Sequence, residues 1–267
     1  MNQKIIADAH VHIHKCFELD QLLNASLTNF QKISQTKTDI DNLVFLIFLT
    51  EMLGDFEFSK LLESAQNYQQ INNWKLTPTQ ESISISATNN DNQKIFIIAG
   101  RQIVTAEKLE VLALISDSEF ADSLPVETTI QNIVSKNGIP VLPWAVGKWI
   151  GKRGKILQKL LNSDTLSMVY LGDNSGRPNF WSRPSYFQLA EQKGWKVLPG
   201  TDPLPLKSEY TKPGSFGFIA EGEFDGTEPG KSMKEILLNP TTSVQPYGSL
   251  ETPFRFIRNQ LALRLSA

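Results

Sequence analysis

The sequence predicts an α/β barrel built as one domain, on three observations. Short apolar runs alternate with helical segments, several of those runs are apolar on both faces of the pleat, and the first ends in closely spaced polar groups. A β-then-α cadence argues for a parallel sheet, and runs apolar on both faces fit strands covered by helices. Barrels keep their sites where strands end. A chain of 267 residues can bury a large core yet stays within the size of one barrel domain, so a single domain over 1–267 is expected.

Lys4-Ile5-Ile6-Ala7 reads as a buried strand delivering Asp8 and His10 at its C-terminal end. Residues 18–35 place Leu19, Leu22, Leu23, Leu27, Phe30 and Ile33 three or four apart, which makes an amphipathic helix. The run from Leu43 to Leu49 is a second covered strand ending in Thr50-Glu51, and a helix over 56–67 follows. The pattern then changes. Ser82–Ser86 and Ile95–Ile98 flank an Asn-Asn-Asp-Asn turn, which predicts a small antiparallel hairpin insertion at about 80–100.

From Gly100 onward, strands are expected at 101–105, 110–115, 138–142, 167–171 and 195–198, with helices at 126–137, 153–162 and 184–193. Residues 203–229 are rich in Pro and Gly and read as a long loop holding a short strand at 216–220; a helix at 250–264 closes the domain.

Composition is ordinary for a globular chain, at 40% hydrophobic and 20% charged residues. A net charge of −2 and a pI near 6.0 give no overall attraction for a polyanion, so nucleic acid is not an expected partner. Cys16 is the only cysteine, which excludes an intramolecular disulfide and a Cys-rich zinc cluster and fits a reducing, cytoplasmic setting. No apolar stretch approaches the ~20 residues of a membrane span, and no signal-peptide h-region opens the chain. The sequence sets no oligomeric state.

His10 and His12 lie two apart on a strand, so their imidazoles share a face and can chelate one divalent ion. His14 joins them if the strand runs that far. Asp202, after Val197–Thr201, stands across a barrel mouth from the first strand and completes a two-His-one-carboxylate set with room for water and substrate. Asp8 is assigned to orienting a histidine rather than to the ion. The segment Gly147–Lys155 gathers four cations after a strand and before a helix. With Arg177, Lys148 and Lys152 make a candidate site for an anionic small-molecule substrate. Glu51 and Asp173, both after strands, are alternative general bases. No Gly-x-Ser-x-Gly elbow is present, which excludes a serine hydrolase of that type.

The order Asp8-x-His10-x-His12, the block from Ala99 to Asp117, Gly138–Trp144 and Gly200–Pro205 together resemble the polymerase and histidinol phosphatase (PHP) domain. That resemblance spans nearly the whole chain. It implies a distorted TIM-like (β/α)7 barrel, related to amidohydrolases, that hydrolyses phosphoesters with two or three metals.

Several family ligands differ. Where the family has Thr-Asp-His the chain has Thr50-Glu51-Met52, and where it has Pro-Gly-x-Glu the chain has Ala99-Gly100-Arg101-Gln102. The family's later histidines fall near Glu110, Leu142–Trp144 and Leu204. His10, His12 and Asp202 remain, enough for one ion (Mn, Zn or Mg). Glu51 and Glu110 as added oxygen ligands would favour Mn or Mg. The expected function is a metal-dependent hydrolase of a phosphoester or related anionic small molecule; the alternative is a degenerate barrel that binds a ligand or partner.

Overall fold

The computed structural model describes residues 2–37, 42–163 and 169–266. The chain begins β1 (Asn2–Val11), α1 (Leu19–Lys37), β2 (Leu43–Glu51) and α2 (Glu57–Gln66). β3 (Gln70–Ile71), β4 (Trp74–Pro78), β5 (Ser84–Asn89), β6 (Lys94–Val104) and β7 (Glu110–Leu114) follow without a helix. Alternation resumes with α3 (Val126–Ser135), β8 (Ile139–Pro143), α4 (Lys152–Asn162), β9 (Tyr170–Asn174), α5 (Ser185–Gln192) and β10 (Val197–Gly200). A 3-10 turn (Lys207–Thr211) leads to β11 (Phe216–Glu223), α6 (Pro229–Leu238), β12 (Gln245–Gly248) and α7 (Pro253–Ser266). The strand expected at 167–171 begins on Ser167 and Met168, which lie outside the described residues. α6 and β12 were not expected.

One sheet runs in the order β10-β9-β8-β7-β6-β2-β1-β11-β12, with β5, β4 and β3 branching from β6. Its β10 edge returns to β1 and β11, so the sheet is nearly closed and the fold is a distorted TIM-like barrel. β1, β2 and β6 are mutually parallel, as are β8, β9 and β10. β7 runs antiparallel to both its neighbours, and β11 is antiparallel to β1. The sheet is therefore mixed rather than parallel throughout. The link from β6 to β7, residues 105–109, is far shorter than the dozen residues a parallel crossover needs.

The hairpin forms where the Asn-rich turn places it, with Asn92 at a φ of 61°. Its second limb, however, is itself a barrel strand: β6 absorbs the strand expected at 101–105 and pairs with β2 from Phe45↔Ile95 to Glu51↔Arg101.

The two faces of the sheet bury different clusters. Ala7, Ala9, Phe48, Leu114, Val141 and Leu198 fill the lumen. Ile6, Val11, Ile47 and Leu49 face α1 and α2, while Ile103, Val111 and Leu171 face α3 to α5. Each Ile, Leu, Val or Phe among them contributes on the order of 1.5–3 kcal/mol when fully buried. Among the described residues no helix is long and apolar enough to cross a membrane.

Closure between β10 and β1 rests on polar contacts at the strand ends. The Asp202 N–H donates to the His10 carbonyl (2.8 Å) and the Thr201 N–H to Asp8 Oδ1 (2.8 Å). Gly200 is required at this seam because a Cβ there would collide with the His10 backbone.

Candidate metal centre

β1 does not keep one phase along its length. Its pairing with β2 slips between Asp8↔Ile47 and Val11↔Leu49, so three steps on β1 match two on β2. A bulge of this kind re-aims the side chains beyond it. Ile6 and Val11 consequently share the helix-covered face although five positions separate them. His10 and His12 turn into the lumen beside Ala9, and Asp8 is left on the outer side.

His10 Nε2 lies 3.0 Å from His12 Nε2, and Asp202 Oδ1 lies 3.4 Å and 3.3 Å from the two ring nitrogens. These three residues form the only group of His, Cys, Asp or Glu able to hold a metal ion among the described residues. Gln102 Oε1 adds a neutral oxygen 2.8 Å from His10 Nε2. Two donors each roughly 2.0–2.1 Å from an ion, at angles of about 90–110°, stand roughly 2.9–3.4 Å apart, so the donor set fits one divalent ion. A single ring nitrogen offers one proton or one lone pair and cannot bond His12, Gln102 and Asp202 at once. A cation at their centre satisfies all of them together.

The charge states suit that role. Burial lowers the His10 pKa to about 4, only partly opposed by Asp202, so the imidazole is neutral with its lone pair available. Burial alone would raise Asp202, but the His10 and His12 imidazoles outweigh it and hold the carboxyl well below its usual range. Asn174 fixes the carboxylate. Its Oδ1 accepts from the Gly176 N–H (2.6 Å), which turns its amide nitrogen onto Asp202 Oδ2. Asp202 has a φ of 45°, a conformation Asp tolerates better than most residues.

His14 extends the row, stacked on His12 at 5.4 Å between ring centroids and bonded through Nε2 to the Pro203 carbonyl. Asp8 reaches no imidazole. Its carboxylate accepts from the N–H groups of His10, Thr201 and Gly214 and from the Thr201 hydroxyl, while burial pushes its pKa up to about 7. The expected histidine-orienting role becomes one of holding the His10 backbone and sealing the barrel.

The other residues singled out in the sequence do not converge on this cluster. Glu51 shares the outer face with Ile47 and Leu49. It accepts from the Phe58 N–H at the start of α2 (2.7 Å) and from Arg101 Nη1 (2.8 Å), and burial raises its pKa. Asp173 is outward too, in a bidentate pair with Arg177 (2.9 and 2.8 Å). Lys148 pairs with Glu110 (2.8 Å), a residue in phase with the lumen-facing Leu112 and Leu114 at the mouth end of β7. Lys152 stands exposed on the first turn of α4.

Gln102 and Asn174 touch the cluster and were not given roles there from the sequence. Strand alternation was an available signal for both, since each directly follows an outward charged residue, and Gln102 also stands where the resembled family has its Glu. Two cavities flank the centre: about 230 Å³ beside Asp202 and Asn174, and about 160 Å³ beside Gln102 and Arg101.

No protein-family model matches the chain, and no curated protein matches it. Solved structures share its fold. PsfC from Pseudomonas syringae superposes with a TM-score of 0.54 at 14% identity, covering 99% of this chain and 98% of that one. The lesion-specific endonuclease PfuEndoQ from Pyrococcus furiosus gives 0.54 at 10% identity over 93% of this chain and 59% of its own. An Endonuclease Q complex with a 27-mer duplex substrate carrying an abasic lesion at the active site gives 0.56 at 10% identity, over 93% and 60%. The chain thus spans about three fifths of these endonuclease chains. That duplex complex overturns the expectation that nucleic acid is not a partner. Net charge is a global sum, whereas phosphate contacts are made locally, so a near-neutral total excludes nothing for this fold.

Proposed function

We propose that the chain is a PHP-type, metal-dependent hydrolase acting on a phosphoester. The carrying observation is the convergence of His10 Nε2, His12 Nε2 and Asp202 Oδ1 at 3.0–3.4 Å on the lumen side of the strand ends. A divalent ion (Mn, Zn or Mg) held there would acidify water and polarise a phosphoryl oxygen. His10 and His12 offer ring nitrogens, Asp202 supplies the charge, and Gln102 and Asn174 orient their neighbours. Lys148, on the mouth wall with Glu110, and the basic first turn of α4 with Lys152 draw substrate oxygens towards the centre. Arg177 contributes by positioning, because Asp173 occupies its guanidinium edge. The likeness to endonucleases places nucleic-acid phosphodiesters among the esters to be tried.

The test is metal content after loading with Mn or Zn, together with hydrolysis of bis(p-nitrophenyl) phosphate. The expected result is one ion per chain and turnover, both lost in His10→Ala with the far-UV circular dichroism spectrum retained. Undiminished turnover in that variant would remove the mechanism. One ion bound without turnover on any phosphoester would favour a ligand-binding role, a reading helped by the commitment of Glu51 and Asp173 to guanidinium partners.

A further inference from the structure

We propose that the cavity beside Asp202 is a subsite for a neutral, flat ring carried by the substrate ester. This rests on the hydrolytic reading of the metal centre. The cavity holds about 230 Å³, roughly eight water volumes at about 30 Å³ each, which suits a ring of six to nine heavy atoms. It borders Asp202 and Asn174, so an occupant lies directly against the metal-binding carboxylate.

Its walls are largely apolar, with Asn259 and Gln260 among them. Trp144, Leu204, Phe256 and Leu263 line it. Trp144 meets Trp181 edge-on at 6.0 Å, and Trp181 packs on Phe256 at 5.7 Å, so the aromatic wall is held by ring-to-ring contacts. Rings of this kind prefer another π-face or edge to water.

The polar end of the cavity carries no surplus charge. Lys212 is buried, with Nζ 2.8 Å from both Glu209 and Glu251, and Arg255 closes on Glu251 at 3.2 Å. Two cations balance two carboxylates, so a second anion gains nothing there and a neutral group is preferred. An ammonium has three donors, and two are spent on the carboxylates; the third is left for an acceptor on the far edge of the ring.

Isothermal titration of the Mn-loaded protein with phenylphosphonate and methylphosphonate tests this. The two probes share the group that meets the metal and differ in the ring. Phenylphosphonate is expected to bind at least about tenfold more tightly, the scale of discrimination an apolar pocket supplies. Leu263→Trp, which fills the cavity from a half-buried α7 position, is expected to bring the ratio to within twofold while leaving methylphosphonate affinity unchanged. Trp144→Leu should shrink the ratio in the same direction. Equal affinities in the unaltered protein, or a ratio that survives Leu263→Trp, would overturn the ring subsite alone. Failure to bind Mn, or to bind either phosphonate, would overturn the metal-centre reading and the subsite with it.

Discussion

The same strand ends look different from their two faces. On the lumen side His10, His12, Gln102, Asn174 and Asp202 converge, with one carboxylate among neutral donors and a ring nitrogen claimed by three partners. On the outer side every carboxylate is already satisfied. Glu51 has Arg101 and a helix N-terminus, Asp173 has the Nε–Nη2 edge of Arg177, and Asp8 has four donors. A charged residue at a strand end therefore does not announce chemistry. The pleat decides whether it faces a site or fastens the fold, and at β1 the bulge changes that decision midway.

The sharpest way to break this contrast is to remove charge from each face in turn. Asp202→Asn is expected to take bound metal from one ion to none and to reduce phosphodiester turnover at least about a thousandfold, with the far-UV circular dichroism spectrum retained. Arg177→Ala is expected to do the reverse. It strands the half-buried Asp173 carboxylate, costing about 2–4 kcal/mol in urea unfolding, and leaves metal stoichiometry unchanged. If Asp173→Asn emptied the metal site as completely as Asp202→Asn, the division between the faces would be wrong.

Much of the scaffold was legible because period and composition carried it. The buried strands β1, β2 and β8 and the helices α1 to α5 lie close to where apolar spacing put them. The direction of β7 was hidden, since an apolar run has no orientation until the length of the preceding link is weighed. The pair His10 and His12 was legible as a spacing of two, and Asp202 through its place after a late strand. Gln102 was legible as a family ligand position but not as a donor, because an amide carries no charge, and Asn174 was masked by Asp173 immediately before it. The bulge at Asp8 left no mark in the sequence, so Asp8 read as a neighbour of the imidazoles when it faces the other way.

Smaller effects sharpen the lumen side. Asn174→Ala removes the donor that holds Asp202 Oδ2 and is expected to weaken metal affinity about 10–100-fold without emptying the site at saturating metal, as read by competition with a chelating dye. Gln102→Glu replaces a neutral oxygen beside His10 with a charged one. It is expected to tighten the same affinity, and a weaker Kd in that variant would mean that the amide does not face the ion.

The smallest expected effect sets the two faces against each other along pH. His10 falls from its ordinary 6.5 to about 4, so between those values the unfolded chain holds a proton that the folded chain lacks, and stability falls as pH drops. Asp8 rises from 3.8 to about 7, so across the same range the folded chain holds the extra proton, and stability falls as pH rises. Each contribution amounts to about 1 kcal/mol per pH unit near pH 5.5. They oppose, and the metal-free protein should show nearly flat stability between pH 5 and 6. His14, also lowered, tilts that balance towards loss in acid, and Glu51, raised by burial, tilts it the other way. Single variants separate the terms. Asp8→Asn leaves the His10 term, so urea midpoints should drop as pH falls from 6 to 5. His10→Gln leaves the Asp8 term, so they should rise. Matching slopes in the two variants would show that the carboxylate and the imidazole do not titrate as separate groups on opposite faces of β1.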